Sequence, residues 1–228
     1  MAMKKTNNGS PKKEKKQNLQ KEINIIEGAL KVFGKKGFEA TTISAISKAA
    51  NISEATLYEY FSSKEDVLFA IPNLYTRREL EKIQEIAHYI HVPEERIRII
   101  IQAYLEFYEN NKLYTSVALL TLKGNRQFLK SPAYQVVKKS TNSIIEAFNL
   151  GVKAGAFRDD IDPYLVRNMI MGFIEHLTIQ WLLVGRPESI TPYRDTIFEM
   201  VIRAIEKRGD TESIDLKITG NNLKIQAT

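Results

Sequence analysis

Cysteine is absent from this 228-residue chain, which excludes disulfide bonds and thiolate metal sites and fits a cytosolic protein. Apolar runs are short, and none approaches the ~18 residues that a membrane span needs. No apolar segment follows the lysine-rich start, so we do not expect a secretory signal there. Strands and helices do not alternate along the chain, which argues against an α/β architecture. These absences favour an all-α protein of one or two domains.

Patterns that carry catalysis or metal binding are also missing. The chain has no Gly-x-Ser-x-Gly elbow and no cysteine nucleophile. His88 and His91 are three residues apart on a predicted helix, but no third ligand is evident, so a zinc site is not expected. Asp159, Asp160 and Asp162 fit a helix cap better than a calcium loop. We therefore expect no enzymatic activity, no metal and no cofactor.

The formal net charge of +6 is concentrated at one end of the chain. Residues 1–21 hold seven lysines and one glutamate, which accounts for the whole excess of 33 basic over 27 acidic residues. Almost no apolar side chain precedes Leu19, so this segment is predicted to be a disordered basic arm. Its lysines favour a phosphate-seeking tail with salt-sensitive affinity for DNA. A solubilising tail or an added leader is the alternative interpretation.

The clearest pattern in the chain follows this arm. Apolar residues at helical spacing predict a first helix that ends at Gly37, after two lysines. Thr41 or Thr42, and then Ser53, are expected to cap two short helices. Asn51 lies where the turn between them needs a left-handed residue. The stretch is therefore a helix-turn-helix unit, and its second short helix is the recognition helix by position.

Three runs of this unit form a specific pattern: A-L-x-x-F-x-x-x-G-F-E-A-T-T-I (Ala29–Ile43), I-S-K-A-A-N-I-S (Ile46–Ser53) and A-T-L-Y-x-Y-F-x-S-K-E (Ala55–Glu65). In these runs the chain resembles the DNA-binding domain of the TetR/AcrR family of bacterial transcriptional regulators, with the domain at residues 22–70. The resemblance implies an all-α, cytoplasmic homodimer. Its partners would be a double-stranded DNA operator and a small-molecule effector, and it would act as a repressor that releases the operator when the effector binds. A helical enzyme, or a helical module that binds no DNA, is the alternative from another class.

Base contacts are expected at the exposed start of the recognition helix. Ser53, Ala55 and Thr56 are small, so the backbone can approach base edges there. Glu54 has two interpretations: it accepts a hydrogen bond from the N4 donor of cytosine, or it is a surface acid that favours the N-terminus of its own helix. The complete expected set of DNA contacts is Thr42, Ser44, Ser53, Glu54, Ala55, Thr56, Tyr58, Glu59 and Lys64.

The resemblance assigns phosphate contacts to Thr42, Tyr58 and Lys64. A hydroxyl and a lysine at helix N-termini suit phosphate, whereas Tyr58 has a half-buried packing ring as its alternative role. Over residues 22–70, five lysines and seven acids give a net charge of −2. Acids beside phosphate weaken binding, so the basic arm is expected to matter more.

Residues 71–207 are predicted to form a larger helical domain for effector binding and dimerisation. Apolar residues recur at helical spacing, with breaks at proline and glycine. The predicted helices cover residues 63–90, 93–110, 112–124, 132–155, 162–185 and 190–207. Residues 208–228 alternate apolar and polar side chains around a Gly-Asn-Asn turn, so a hairpin and a loosely docked or disordered tail are equally open.

The segment from Asp162 to Gly185 is apolar on nearly all sides. A helix of this kind must be buried on all sides, so we expect one side to face its own domain and the other a partner subunit. The resemblance implies a four-helix dimer interface made with the following helix; a central helix in a monomer is the alternative. The expected interface residues are Met169, Phe173, Trp181, Ile197 and Val201.

An effector pocket is implied by the resemblance. Its expected lining is Tyr104, Phe107, Tyr108, Leu119, Phe128, Phe148 and Phe173, with Arg126 and His176 as polar groups. Aromatic residues at helical spacing are more often plain core. The run MGFIEHLTIQWLLVGRP is similar to the C-terminal helix of fatty-acid-responsive members, which bind acyl-CoA. A cationic or aromatic drug-like effector is the alternative.

Overall fold

The computed structural model of the chain describes residues 11–207, 214–219 and 222–227, with side chains described over 15–77, at 86 and over 89–207. Up to residue 207 the described chain is helical, in an N-terminal unit and a larger C-terminal domain joined by one long helix. This confirms the all-α prediction for the body of the protein. No described helix combines the length and the hydrophobicity of a membrane-spanning segment.

The N-terminal unit contains three helices and the first half of a fourth. These are α1 (Pro11–Lys36), α2 (Ile43–Ala50), α3 (Glu54–Tyr58) and α4 (Lys64–His88). Ile46 of α2 and Leu57 of α3 are fully buried. Gly28 allows α1 to approach α2 closely, because a Cβ there would lie 2.9 Å from the backbone nitrogen of Ala50. The predicted helix-turn-helix unit is therefore present.

The local geometry of this unit follows from its cap residues. Gly37 and Asn51 adopt left-handed φ angles of 76° and 56°, as the sequence predicted. The hydroxyls of Thr42 and Ser53 accept a bond from a backbone N–H three residues later, at 3.2 and 3.0 Å. Thr42 is therefore the cap, while Thr41 is buried and donates its hydroxyl hydrogen to the Gly37 carbonyl at 2.7 Å.

The predicted disordered arm over residues 1–21 is wrong for residues 11–21, which form the first turns of α1. Lysine, glutamate and glutamine are good helix formers, and extending a helix that already exists is much easier than nucleating one. Asn18 in this extension accepts a hydrogen bond from the Tyr60 hydroxyl at 3.3 Å. Residues 1–10 lie outside the described part of the chain.

The C-terminal domain contains seven α-helices within the described residues, with one π-helical and one 3₁₀ turn. They are α5 (Pro93–Asn110), α6 (Lys112–Val117), the π turn (Ala118–Leu122), α7 (Arg126–Lys130), α8 (Pro132–Ser140), α9 (Asn142–Lys153), α10 (Pro163–Val184), the 3₁₀ turn (Thr191–Tyr193) and α11 (Arg194–Ile205). α5 packs against α9, α10 and α11, α4 packs against α8, and α1 packs against α6.

Two of the predicted helices are interrupted. The predicted helix at 132–155 is two helices, because Ser140 and Thr141 donate their hydroxyls to carbonyls three residues earlier, at 2.7 and 2.9 Å. Such bonds compete with the helical ladder. The predicted helix at 112–124 ends in the π turn, and Asn125 then caps the unpredicted α7 by accepting two backbone N–H bonds.

The buried apolar side chains form one continuous cluster from Ile25 in α1 to Ile205 in α11. It runs through α4, where Val67, Leu68 and Ile71 are fully buried. The N-terminal unit and the C-terminal domain therefore share one hydrophobic core.

Near the end of the chain, two strands form an antiparallel hairpin. Its strands are β1 (Ile214–Thr219) and β2 (Asn222–Ala227), and Thr219 pairs with Asn222. The described strands match the hairpin that the alternating pattern favoured.

Candidate nucleic-acid interface and ligand cavity

The recognition helix α3 presents most of its residues to solvent. Leu57 is fully buried and fixes the helix on the core, while Tyr58 beside it is 55% exposed. Glu54, Ala55 and Glu59 are exposed as well. The Tyr58 ring therefore extends from the surface instead of filling the core, and α3 offers a continuous outer face to a neighbouring molecule.

Hydroxyl groups lie at the start of α2 and of α3. Thr42 and Ser44 are exposed at the beginning of α2. At α3, the Ser53 hydroxyl lies 2.9 Å from the hydroxyl of Thr56. A hydroxyl that accepts a capping bond still has a hydrogen to donate. Thr42 can therefore cap its helix and also donate to a phosphate.

Lys64 has a different environment from the one that the sequence predicted. Its ammonium donates to the backbone carbonyls of Phe38, Glu39 and Thr41 at 3.1, 3.3 and 3.4 Å. It also lies 4.4 Å from the centre of the Phe38 ring. An ammonium has three donors, so these carbonyls occupy all of them. Lys64 holds the α1–α2 turn against α4, and a phosphate contact would require it to leave these partners.

Exposed lysines on the extension of α1 lie beside this surface. Lys15 and Lys21 are three residues on either side of Asn18, so they share its helix face. Asn18 contacts Tyr60, two residues beyond the end of α3. The helical extension therefore brings positive charge next to the recognition helix, where the unit itself is net acidic.

A cavity of about 470 Å³ lies between α4 and the C-terminal elements α5, α6, the π turn, α7, α8 and α10. Tyr108, Leu119 and Phe128 line it, as the sequence predicted. Its volume falls in the range of small-molecule sites. The apolar part of its wall, beyond the predicted residues, is Pro72, Tyr114, Ala118, Leu122, Leu129, Tyr134, Val137 and Met171.

Six of the residues predicted to line a pocket do not line this cavity. Phe148 stacks on Phe157 with ring centres 5.9 Å apart and is plain core. Tyr104 is also core, and its hydroxyl donates to Ser140 at 3.3 Å. Phe107 is buried between other rings. Aromatic residues at helical spacing mark buried faces, and sequence spacing does not distinguish a filled core from a cavity wall.

The other three residues point elsewhere. Arg126 is exposed at the start of α7, away from the cavity wall. Phe173 and His176 lie on the opposite side of α10, on an outward-facing groove. On α10 the cavity is lined instead by Met171 and Glu175, which sit on the inner side of the same helix turns.

The charged residues of the cavity wall were not predicted. They are three basic side chains, Lys123, Lys138 and Arg167, and one acid, Glu175. Lys123 and Glu175 form an ion pair across the wall, and burial lowers the pKa of Lys123. A sequence signal was available for Lys123 and Lys138, because residues 110–145 contain six basic residues and no acid.

One short helix connects the cavity to the N-terminal unit. Tyr114 of α6 lines the cavity and shares a hydrogen bond of 2.8 Å with the buried Thr76 of α4. Burial raises the pKa of Tyr114 to about 12, so its hydroxyl stays protonated at neutral pH. The preceding residue, Leu113, packs directly on Gly34 of α1, where a Cβ would collide with it. α6 therefore contacts the cavity, α4 and α1 together.

An apolar groove runs along the outer side of α10 and α11. Phe173 and Met200 are 40% and 49% exposed there, and Met169 and Leu177 also line the groove. Met169 and Leu177 are half-buried, whereas Phe173 and Met200 present much of their apolar surface to solvent. Exposed apolar surface of this kind is typical of a contact between proteins.

Three of the predicted interface residues are instead buried within the chain. Trp181 is 6% exposed, and its indole N–H donates to the Glu188 carbonyl at 3.3 Å. Val201 and Ile197 are 1% and 4% exposed, although Ile197 still forms part of the groove floor. Because α10 is apolar along most of its length, its sequence pattern does not show which side faces the core. Met169 and Phe173 lie on the outer side.

Two family patterns match most of the chain. Residues 25–71 match the pattern for bacterial regulatory proteins of the tetR family, and residues 76–204 match the C-terminal region of YsiA-like proteins. The fatty acid metabolism regulator protein of Bacillus subtilis (strain 168) is 22% identical over 193 residues, which cover 85% of this chain and 100% of that relative.

Solved structures share the fold. The regulator FadR from Bacillus subtilis, in complex with stearoyl-CoA, superposes with a TM-score of 0.74 at 21% identity, over 79% of this chain and 97% of that one. The fatty acid degradation regulator FadR from Bacillus halodurans gives a TM-score of 0.74 at 25% identity, over 80% of this chain and 94% of that one.

Proposed function

The chain belongs to the TetR family of bacterial regulatory proteins, and we propose that it is a cytoplasmic, homodimeric repressor that releases its operator when a long-chain acyl thioester or fatty acid occupies its cavity. The observation that carries the proposal is the position of the cavity. Its wall includes Tyr114, which is bonded to Thr76 on the helix that bears the recognition unit.

Duplex DNA is the partner that the N-terminal surface fits. α3 has an exposed face, hydroxyl donors flank it, and the lysines of the α1 extension lie beside it. Exposed tyrosine and hydroxyl side chains suit phosphate contacts that position a protein without reading sequence. Thr42, Tyr58 and the α1 lysines take that role in the proposal, and the start of α3 contacts base edges.

A second copy of the chain is the partner that the groove on α10 and α11 fits. Two-fold pairing through Phe173, Met200 and their neighbours would cover the apolar surface of both copies. It would also place two recognition helices to meet successive major grooves, ~34–36 Å apart. The proposal therefore needs a dimer for specific binding.

The effector class follows from the charges and the apolar surface of the cavity. Three basic side chains and one acid favour an anionic head group, and the apolar wall favours a long hydrocarbon tail. The B. subtilis FadR relative was crystallised with stearoyl-CoA, a molecule with both features. Lys138 and Arg167 carry no ion pair within the described residues, so they are the proposed head-group contacts.

Release of DNA would follow from displacement of α6. A ligand that contacts Tyr114 moves a helix that is also bonded to α4 and packed on α1. Ligand can shift the equilibrium only by binding the displaced arrangement more tightly. The recognition helices of the dimer would then no longer match the groove spacing.

A cationic ligand is the second candidate, because Glu175 is an acid in the cavity wall and tyrosine rings lie near it. The Lys123 ammonium already neutralises Glu175, which makes a cation the weaker proposal. Palmitoyl-CoA, which is anionic, and a long-chain quaternary ammonium, which is cationic, are therefore the two probes that distinguish the candidates.

The test first selects a duplex that the protein enriches from a random library. Fluorescence anisotropy then measures release of this duplex from the protein. Palmitoyl-CoA should release it, whereas CoA alone and the quaternary ammonium should not. Lys138→Ala with Arg167→Ala should weaken the response to palmitoyl-CoA about tenfold or more, since bonds to charged groups are worth ~1.5–3 kcal/mol. Lys139→Ala, next along α8 but outside the cavity wall, is the matched control. Release by the ammonium alone would favour the second candidate.

A further inference from the structure

We infer that Glu54 reads cytosine in each operator half-site and thereby sets the sequence specificity of this protein. The inference deepens the proposed function and rests on it, since it assumes a duplex DNA partner. Glu54 is the first residue of α3 and is exposed. The N-terminal residues of a recognition helix are the ones that contact base edges in the major groove.

The structure weakens the alternative role of Glu54 as a helix-stabilising surface acid. α3 is only five residues long, so few peptide dipoles add up at its N-terminus. The N–H group of Thr56 is already capped by the Ser53 hydroxyl at 3.0 Å. Among the described residues, the Glu54 carboxylate has no hydrogen bond and no ion pair. No neighbouring group among the described residues therefore pairs with the charge of Glu54.

An unpaired carboxylate on this surface has a large effect on DNA binding. The unit at residues 22–70 is already net acidic, with seven acids and five lysines. Against phosphate, Glu54 can only repel, because an ionised carboxylate accepts hydrogen bonds and donates none. Docking becomes favourable only where the DNA presents a hydrogen-bond donor to the carboxylate.

Base chemistry selects the donor. In the major groove, guanine offers two acceptors and thymine offers an acceptor and a methyl group. Adenine has a donor at N6, but its N7 acceptor lies beside it and repels a carboxylate. Cytosine alone presents a donor, N4, without an acceptor. A two-fold dimer repeats the contact, so the operator should carry this cytosine at two symmetry-related positions.

The test is selection of duplexes from a random library by the full-length protein without effector, followed by affinity measurements. The wild type should enrich a palindrome, with one symmetric cytosine whose replacement weakens binding at least about fivefold per half-site. Glu54→Gln should prefer adenine at that position, because an amide pairs with N6 and N7 of adenine.

Glu39→Gln is the matched control, since it removes the same charge from an exposed residue of the same unit that lies outside the expected DNA contacts. It should bind all duplexes somewhat more tightly and keep the cytosine preference. Unchanged base preference in Glu54→Gln, or an equal loss of preference in Glu39→Gln, would overturn the inference while leaving the DNA-binding function intact. If the wild type enriches no sequence, the proposed function fails, and the inference falls with it.

Discussion

The hydroxyls of Tyr114 and Thr76 lie 2.8 Å apart in the protein interior, and they join α6, which carries Tyr114 into the cavity wall, to α4. Thr76→Val should cost ~1–3 kcal/mol of unfolding free energy, because it leaves the Tyr114 hydroxyl buried without a partner. Tyr114→Phe should cost less, since a threonine hydroxyl can turn to a carbonyl of its own helix. Urea denaturation of both variants measures the difference.

The double variant Thr76→Val with Tyr114→Phe provides the control for this pair. Removing both hydroxyls leaves no unsatisfied group, so its stability should lie closer to that of wild type than the sum of the single losses. Strictly additive losses would show that the bond contributes little and that the two residues act only through packing.

Gly34 of α1 contacts the side chain of Leu113, whereas Gly28 of the same helix contacts the backbone of α2. Gly34→Ala should therefore push α6 away from α1 and alter operator affinity without unfolding the protein. Leu113→Ala should restore it by removing the obstructing side chain. Gly28→Ala has no flexible neighbour to move, so it should destabilise the unit by ~1–3 kcal/mol. Anisotropy titrations and denaturation midpoints separate these effects; failure of Leu113→Ala to rescue Gly34→Ala would contradict the assigned contact.

Substitution of Trp181 should lower stability, whereas substitution of Phe173 should prevent dimerisation. Trp181 is buried within the chain, so Trp181→Ala should cost ~3–5 kcal/mol of stability. Phe173 is 40% exposed on the groove, so Phe173→Glu should leave a folded chain that no longer pairs. Sedimentation and denaturation of both variants test this contrast. A normal dimer for Phe173→Glu would place the interface elsewhere.

The α1 lysines and Lys64 should differ in the salt dependence of DNA binding. Replacing Lys15, Lys16 and Lys21 with glutamine should lower the slope of log affinity against log salt by ~0.9 for each phosphate that these lysines neutralise. Lys64→Ala should weaken binding with little change in slope, because its ammonium is held by backbone carbonyls. An unchanged slope for the triple variant would show that the α1 extension does not contact phosphate.

The helix-turn-helix unit was predictable because its signals are local. Caps such as Thr42 and Ser53, and the left-handed Asn51, act within four residues, and the sequence contains both partners of each interaction. The prediction of a disordered arm fails for a related reason: it considers each segment by itself. Residues 11–21 look unable to fold alone, but they continue a helix that is nucleated further along the chain.

The cavity and the outer face of α10 were predictable only in part, because they depend on tertiary packing. Phe148 and Phe128 are both phenylalanines in apolar helical patterns. Phe148 nevertheless stacks in the core, whereas Phe128 lines the cavity. α10 is apolar on nearly all sides, so periodicity could not tell the buried Trp181 from the exposed Phe173. Only the packing of α5, α9 and α11 assigns the two sides.

The continuous hydrophobic core has a consequence for how the protein melts. Proteins with two folding domains often unfold in two steps. Two domains that share one hydrophobic core should instead unfold together, because neither can lose its packing without exposing the other. Here Leu68 and Ile71 of α4 belong to the same cluster as Ile25 of the N-terminal unit and Ile205 at the far end. Heating should therefore give one calorimetric transition, and weakening either unit should lower the melting temperature of the whole chain.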